Sequence, residues 1–279
     1  MAQTEREMRE IEQANTSTRR PVVFVHGLWL LPCSWQPWRV LFEEAGFVTL
    51  APGWPDDPAT VTDARADPAV FAGKKIKQVT DHYADIISQL IRPPVVIGHS
   101  FGGLISQQLA GRGLAAATVA VDAAPFRGVL PLPLSALRGA WPVIGNPLNY
   151  RRAVSLTYGQ FRFAFANAVS EAEAKQLFDA HTVAASGIPL FQAATANVNP
   201  WSQAKVNTHN PARGPLLIIS GEKDNIAPRA ITRAAYRKQQ RNPAVTTFQE
   251  IPDRGHSLVL DSGWRDVADA ALAFVNENL

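Results

Sequence analysis

Six short apolar runs recur along the chain from Pro21 onward: Val22–Val25, Val48–Ala51, Val95–Ile97, Thr118–Val121, Leu216–Ile219 and Thr246–Ile251. Most are β-branched and continuously apolar, as expected of strands covered on both faces in a parallel sheet. Helical stripes lie between them. Ile76, Val79, Tyr83, Ile86, Ile87 and Leu90 fall on one face, as do Trp264, Val267, Ala268, Ala271, Phe274 and Val275. Strand and helix in alternation predict an α/β fold: an open, mainly parallel sheet of about six strands, right-handed crossovers, and helices on both sides.

The alternation stops over residues 125–210, which carry no convincing strand and are punctuated by Pro131, Pro133, Pro142, Pro147 and Pro189. This interval holds 10 of the 24 Phe, Trp and Tyr residues, and seven Lys/Arg against three Asp/Glu. Its composition predicts a helical cap inserted before the penultimate strand. Residues 21–124 and 211–279 then form the sheet unit, and residues 1–20 a loose or helical arm. The connection from Gly53 to Lys74 is longer than usual and rich in Pro, Ala and Asp, a length associated with functional loops.

Composition narrows the classes of function. With 46% hydrophobic and 18% charged residues in 279, the chain is too apolar to be disordered. A formal net charge of +3 leaves no nucleic-acid or polybasic membrane footprint. The single cysteine, Cys33, excludes an internal disulfide and a multi-cysteine metal site, fits a reducing cytoplasm, and reads as a small apolar filler. The charged first residues are neither a signal peptide nor an anchor, and no apolar run is long enough to span a bilayer. Oligomeric state is not legible.

The chemistry is concentrated at Gly98-His99-Ser100-Phe101-Gly102, a G-x-S-x-G between a strand and a helix. A sharp turn there lifts the Ser100 hydroxyl clear of the sheet, and glycines at 98 and 102 leave room for it. The following helix start aims amides at developing negative charge. A serine nucleophile needs a base, and the base needs an orienting acid. His256 lies after the last strand and Asp224 after the strand before it, so both sit at the C-terminal edge of the sheet, in the chain order Ser, Asp, His. Asp122 also ends a strand and competes with Asp224 for the acid role; Glu222 is a weaker competitor because the turn aims it elsewhere. One oxyanion donor is expected from the Phe101 amide. The second comes from the His26-Gly27-Leu28-Trp29 loop, through Leu28 with Trp29 as fallback, while His26 pins the loop.

These segments together resemble the α/β-hydrolase superfamily. The resemblance implies Ser100 as nucleophile, His256 as base, Asp224 as acid, Leu28 and Phe101 as oxyanion donors, and no metal or organic cofactor. Serine at the elbow sets the chain apart from haloalkane dehalogenases and most epoxide hydrolases, and Ser257 after the histidine sets it apart from hydroxynitrile lyases. Leu28 and Trp29 replace the His-Gly-Gly-Gly run of another esterase group. The expected partner is a small apolar ester or lactone, held by Trp29, Phe126, Trp141, Phe161, Phe163, Phe165, Phe191 and Trp201 where these face inward. Two rival readings use the same triad: a cofactor-free haloperoxidase or perhydrolase, and a small-molecule receptor with slow hydrolysis.

Overall fold

The computed structural model describes residues 3–279. In chain order the elements are α1 (Glu5–Thr16), β1 (Pro21–Val25), α2 (Gln36–Glu44), β2 (Val48–Leu50), α3 (Val61–Ala66), α4 (Ile76–Ser88), β3 (Val95–His99), α5 (Phe101–Gly111), β4 (Ala117–Val121), α6 (Leu134–Ile144), β5 (Ala153–Val154), α7 (Tyr158–Ala164), α8 (Glu171–His181), β6 (Ala185–Ser186), α9 (Ile188–Ala194), β7 (Leu216–Gly221), α10 (Arg229–Gln239), β8 (Thr246–Ile251) and α11 (Trp264–Asn278).

Six strands pair in the order β2-β1-β3-β4-β7-β8, every pair parallel. Strand residues alternate between two cores. Val23, Val25 and Val96 pack with α4 and α5, whereas Val22, Phe24, Val95 and Ile97 pack with α2 and α11. A strand covered on both faces needs apolar residues at every position, which explains the unbroken runs. β8 is one of the two edge strands, and its burial alternates. The chain leaves β1 toward β2 on one side and resumes at β3 on the other, so the order reverses between β1 and β3. In parallel sheets such a reversal opens a crevice beyond the strand ends. The turns after β1 and β3, at His26 and Ser100, both face it.

The interval between β4 and β7 holds four helices, α6 to α9. It also contains β5 and β6, a two-stranded antiparallel pair that the sequence did not announce because each strand has only two residues. Trp29, in the turn after β1, is fastened to this pair: its Nε1–H donates to the Val154 carbonyl at 2.9 Å, and its own carbonyl accepts from Val183 at 3.1 Å. The long connection after Gly53 contains α3. Cys33 is exposed rather than packed as a filler, since its short 3₁₀ turn buries Pro32, Ser34 and Trp35 instead. Among the described residues, no helix is long and apolar enough to cross a membrane.

The described part of the N-terminal arm is a docked helix. Ile11 and Ala14 of α1 are buried, and Thr4 and Glu7 form a reciprocal cap. Glu7 also reaches His82 on α4 at 3.1 Å. Burial alone would raise the Glu7 carboxyl, but the hydrogen bonds from His82 and the Thr4 amide overcome it and hold the group below the usual carboxylate range. A depressed acid contributes stability above its unfolded value, about 4.3 for Glu, and loses it as pH falls through the folded value. Glu7→Gln should therefore lower the Tm at pH 7, and the deficit should shrink below about pH 4 in melts across pH.

Candidate active site

Ser100 occupies the one-residue turn between β3 and α5 with φ 58° and ψ −122°, a left-handed backbone that an L-residue holds only under constraint. Two glycines make the turn possible. A Cβ on Gly98 would fall on the Gly102 carbonyl and the Ser106 hydroxyl, and one on Gly102 would fall on the Val25 carbonyl. The loop after β1 packs on the same turn: a Cβ on Gly27 would lie 2.8 Å from the Ser100 Cβ and 3.3 Å from its Oγ. Ser100 and the loop bearing the proposed oxyanion donors are therefore in direct contact.

His256 is fully buried, and its Nδ1 lies 2.6 Å from Asp224 Oδ2. A carboxylate at that distance accepts a hydrogen bond from Nδ1–H, so Nε2, which has no hydrogen-bond partner, carries the free lone pair. Asp224 is saturated on its other oxygen by the amides of Ile226 at 2.6 Å and Ala227 at 2.9 Å. Burial alone would raise its carboxyl; the adjacent His256 imidazole and its hydrogen bond, with Asp122 and the Ala227 amide, outweigh burial and hold it low. His99, kept neutral by burial and by the adjacent His256, donates from Nε2 to the His256 carbonyl at 2.9 Å. Phe165 meets the His256 ring edge-on at 4.9 Å, and its carbonyl accepts from the Ser257 amide at 2.9 Å. Asn167 Nδ2 donates to the Lys223 carbonyl at 2.7 Å, and Asn225 Nδ2 to the Phe163 carbonyl at 2.9 Å. The stretch from Phe163 to Asn167, in the interval between β4 and β7, thus clamps the loops of both His256 and Asp224.

The carboxylate on the imidazole is that of Asp224; Asp122 stands behind it. Asp122 is fully buried, with φ 41°, and its Oδ1 accepts the Gly221 amide at 2.7 Å. Its Oδ2 has no donor, and ligand atoms of Asp122, Asp224 and His256 all lie within 4.8 Å of one another. Burial first, then the Asp224 charge, push the Asp122 carboxyl well above its usual range, so the Asp122–Asp224 pair holds a proton on Asp122. This cluster fits a proton better than a metal ion. The atoms that would ligate a cation, His256 Nδ1 and Asp224 Oδ2, already face each other at hydrogen-bond distance. Glu222 turns away and accepts the Asp253 amide at 2.8 Å.

His26 faces away from Ser100 into a second buried cluster. Its Nδ1 lies 2.9 Å from the Gly27 carbonyl and its Nε2 3.2 Å from Asp57 Oδ2, while Lys74 Nζ donates to Asp57 Oδ1 at 3.0 Å. Trp54 stacks on the His26 ring at 5.8 Å and donates from Nε1 to the His26 carbonyl at 3.2 Å. Charge and stacking from the long connection thereby fix the loop. Trp29 in that loop has φ 65°, so its backbone turns sharply beside Ser100.

A cavity partly open to solvent lies over Ser100. Trp29, Phe101 and Phe126 line it, and the remaining wall is chiefly aliphatic, including Val129, Leu137, Ile144, Leu190, Ile226 and Ile231. The wall carries no charged side chain; Asn197 is its one amide, and both ends are engaged, by Gly128 at 2.6 Å and Val129 at 2.8 Å. Of the sequence-nominated pocket residues only Trp29 and Phe126 are here. Leu28 lines a separate small hollow together with His26, Trp54 and Asp57. Phe161 and Phe165 are buried in packing beneath, Phe163 lies under Arg138, and Phe191 packs on Tyr150. Trp141 and Trp201 are exposed on the outer surface. Aromatic enrichment marked the interval but not its inner wall, because the wall is built from leucine, isoleucine and alanine, whose signal is shared with any core.

A neutral buried acid is a stability term. The raised Asp122 favours folding below its unfolded value, about 3.9, and that contribution is lost as pH rises toward the folded value. Asp122→Asn keeps an acceptor for Gly221 and a donor for Asp224 but cannot ionise. Its Tm relative to the parent should rise as pH increases above about 4; a pH-independent difference in thermal melts would show Asp122 charged in the fold.

Residues 22–270 match the profile of the alpha/beta hydrolase family. No curated protein matches the chain in sequence. Similar solved structures include an esterase from Thermogutta terrifontis (TM-score 0.64, 19% identity, covering 94% of this chain and 91% of that one). A monoacylglycerol lipase from Paleococcus ferrophilus (0.62, 19%, 93% and 95%) and a pyrethroid hydrolase from Sphingobium faniae JZ-2 (0.63, 19%, 93% and 98%) are also similar. At such identity the likeness is one of fold. The six-stranded parallel sheet and the match along nearly its whole length place this chain in the alpha/beta hydrolase family.

Proposed function

We propose that the protein is a serine hydrolase that cleaves carboxylic esters or lactones through an acyl-enzyme, with Ser100, His256 and Asp224 as its triad. The observation that carries this reading is an imidazole whose Nδ1 is held by a buried carboxylate and whose Nε2 is left free, in a molecule whose elbow hydroxyl is the one unengaged polar side chain of an apolar cavity. Ser100 Oγ attacks the carbonyl carbon while His256 Nε2 takes its proton. Asp224 keeps the imidazole in the required tautomer and stabilises the imidazolium. The developing oxyanion is met by the amide of Phe101 at the start of α5 and by an amide of the loop at Leu28 or Trp29. His256 then protonates the leaving alkoxide, and a water it deprotonates attacks the acyl carbon and frees Ser100.

The interval 125–210 serves as a cap whose aliphatic underside receives the acyl or alcohol part. A wall without charge disfavours sugars, phosphoesters and amino-acid substrates, whose polar groups would be buried unpaired. An acyl-enzyme is also the starting point of perhydrolysis, and slow deacylation is what a receptor would show; steady-state turnover of plain esters separates the hydrolase from both.

A fluorophosphonate probe should label Ser100, and Ser100→Ala should abolish labelling and reduce p-nitrophenyl ester hydrolysis by about 10³-fold or more. A variant hydrolysing at the parent rate would sink the proposal. The parent rate should fall toward acid pH, because a protonated His256 cannot accept the serine proton. kcat/KM should rise about ten-fold or more from acetyl to octanoyl esters, given about 0.8 kcal/mol per buried methylene; a flat acyl-chain profile would argue against the cavity as acyl site.

A further inference from the structure

Large apolar side chains stand exposed on the segment that borders the cavity and on the surface beyond it. Leu134 is 83% exposed, Trp201 86% and Leu132 63%, and Leu130, Trp141 and Leu148 are exposed with them. Leu130 and Leu132 also line the cavity over Ser100, so the exposed face and the cavity wall are continuous. Patches of this kind on a monomer mark an interaction site.

Charge indicates what covers it. From residue 123 to residue 170 the chain carries five arginines and no Asp or Glu. Arg138 stands between Leu134 and Trp141 at four- and three-residue spacing, on one face of α6. Arg151 and Arg152, both exposed, follow Leu148 and Tyr150 in a 3₁₀ turn. Arg127 donates to the Pro200 carbonyl at 3.1 Å, next to Trp201. Arg162 pairs with Glu171, but Arg127, Arg138, Arg151 and Arg152 make no ion pair among the described residues. Exposed leucines, exposed tryptophans and arginines without acidic partners are what an anionic interface attracts. The apolar side chains enter the acyl boundary, indoles sit at headgroup depth and guanidiniums meet phosphate. A second copy of the same face would set arginines against arginines.

We propose that this face seats the protein on an anionic phospholipid surface, with the mouth of the cavity turned toward the lipid. The whole chain's modest net charge gives no such indication, since the acid-free stretch is offset elsewhere in the sequence. An uncharged ester dissolved in the bilayer could then pass along Leu130 and Leu132 into the cavity without crossing water.

The test is vesicle co-sedimentation of the full chain carrying Ser100→Ala, which separates binding from hydrolysis. Vesicles are phosphatidylcholine alone, or phosphatidylcholine with about a third phosphatidylglycerol. The bound fraction should be about five-fold or more higher on the anionic vesicles and should fall with added salt. Leu134→Ser with Leu148→Ser and Trp201→Ser should abolish binding to both. Arg151→Glu with Arg152→Glu should remove the anionic preference. In the Ser100 background, both sets should leave kcat/KM on soluble p-nitrophenyl acetate within about two-fold of the parent. Equal or absent binding to the two vesicle types would overturn the proposal. So would a dimer in light scattering that the same substitutions dissociate, because a second copy would then cover the face. Loss of binding with intact acetate hydrolysis supports it even if the long-chain reading of the cavity fails.

Discussion

Parallel pairing throughout the six-stranded sheet is the constraint from which the site follows. When all six strands run one way, every turn that follows a strand ends on one edge, and residues far apart in sequence converge there without further instruction. Ser100 follows β3, Asp122 follows β4, Asp224 follows β7, and His256 follows β8. The reversal of strand order between β1 and β3 opens the crevice at the serine. The Gly98 and Gly102 contacts then decide that the serine turn can be as tight as it is, because any side chain at either position would strike backbone from β1 or α5.

The polar groups at this edge are arranged by charge as much as by hydrogen bonding. Asp224 is ionised against the imidazole, and Asp122 behind it keeps a proton, so two buried carboxyls share a small volume without two charges. On the other side of the crevice, Lys74, Asp57 and His26 form a separate buried group that grips the loop next to Ser100. Each polar cluster braces one wall of a cavity whose lining is otherwise hydrocarbon.

Much of this was legible before folding. Continuous β-branched runs located the strands, because a strand buried on both faces cannot hide its pattern. The serine was legible because its turn demands glycines at fixed offsets, and His256 and Asp224 because they follow strands. Asp57 and Lys74 gave no local signal; their meeting depends on the path of a long connection. Composition alone directs the large rings of Trp141 and Trp201 inward, yet both stand on the outer surface. The pair β5 and β6 escaped notice because two residues carry no periodicity.

The stretch from Phe163 to Asn167 binds the Asp224 loop through Asn167 and Asn225, and the His256 loop through the Phe165 carbonyl. This stretch and the His256–Asp224 pair are therefore one mechanical unit. A displacement of this stretch would slacken the supports of His256 and Asp224 together. On the proposed reading, entry at this end would interrupt the chemistry, whereas entry past α6 and α9, which line the opposite wall, would leave both loops in place.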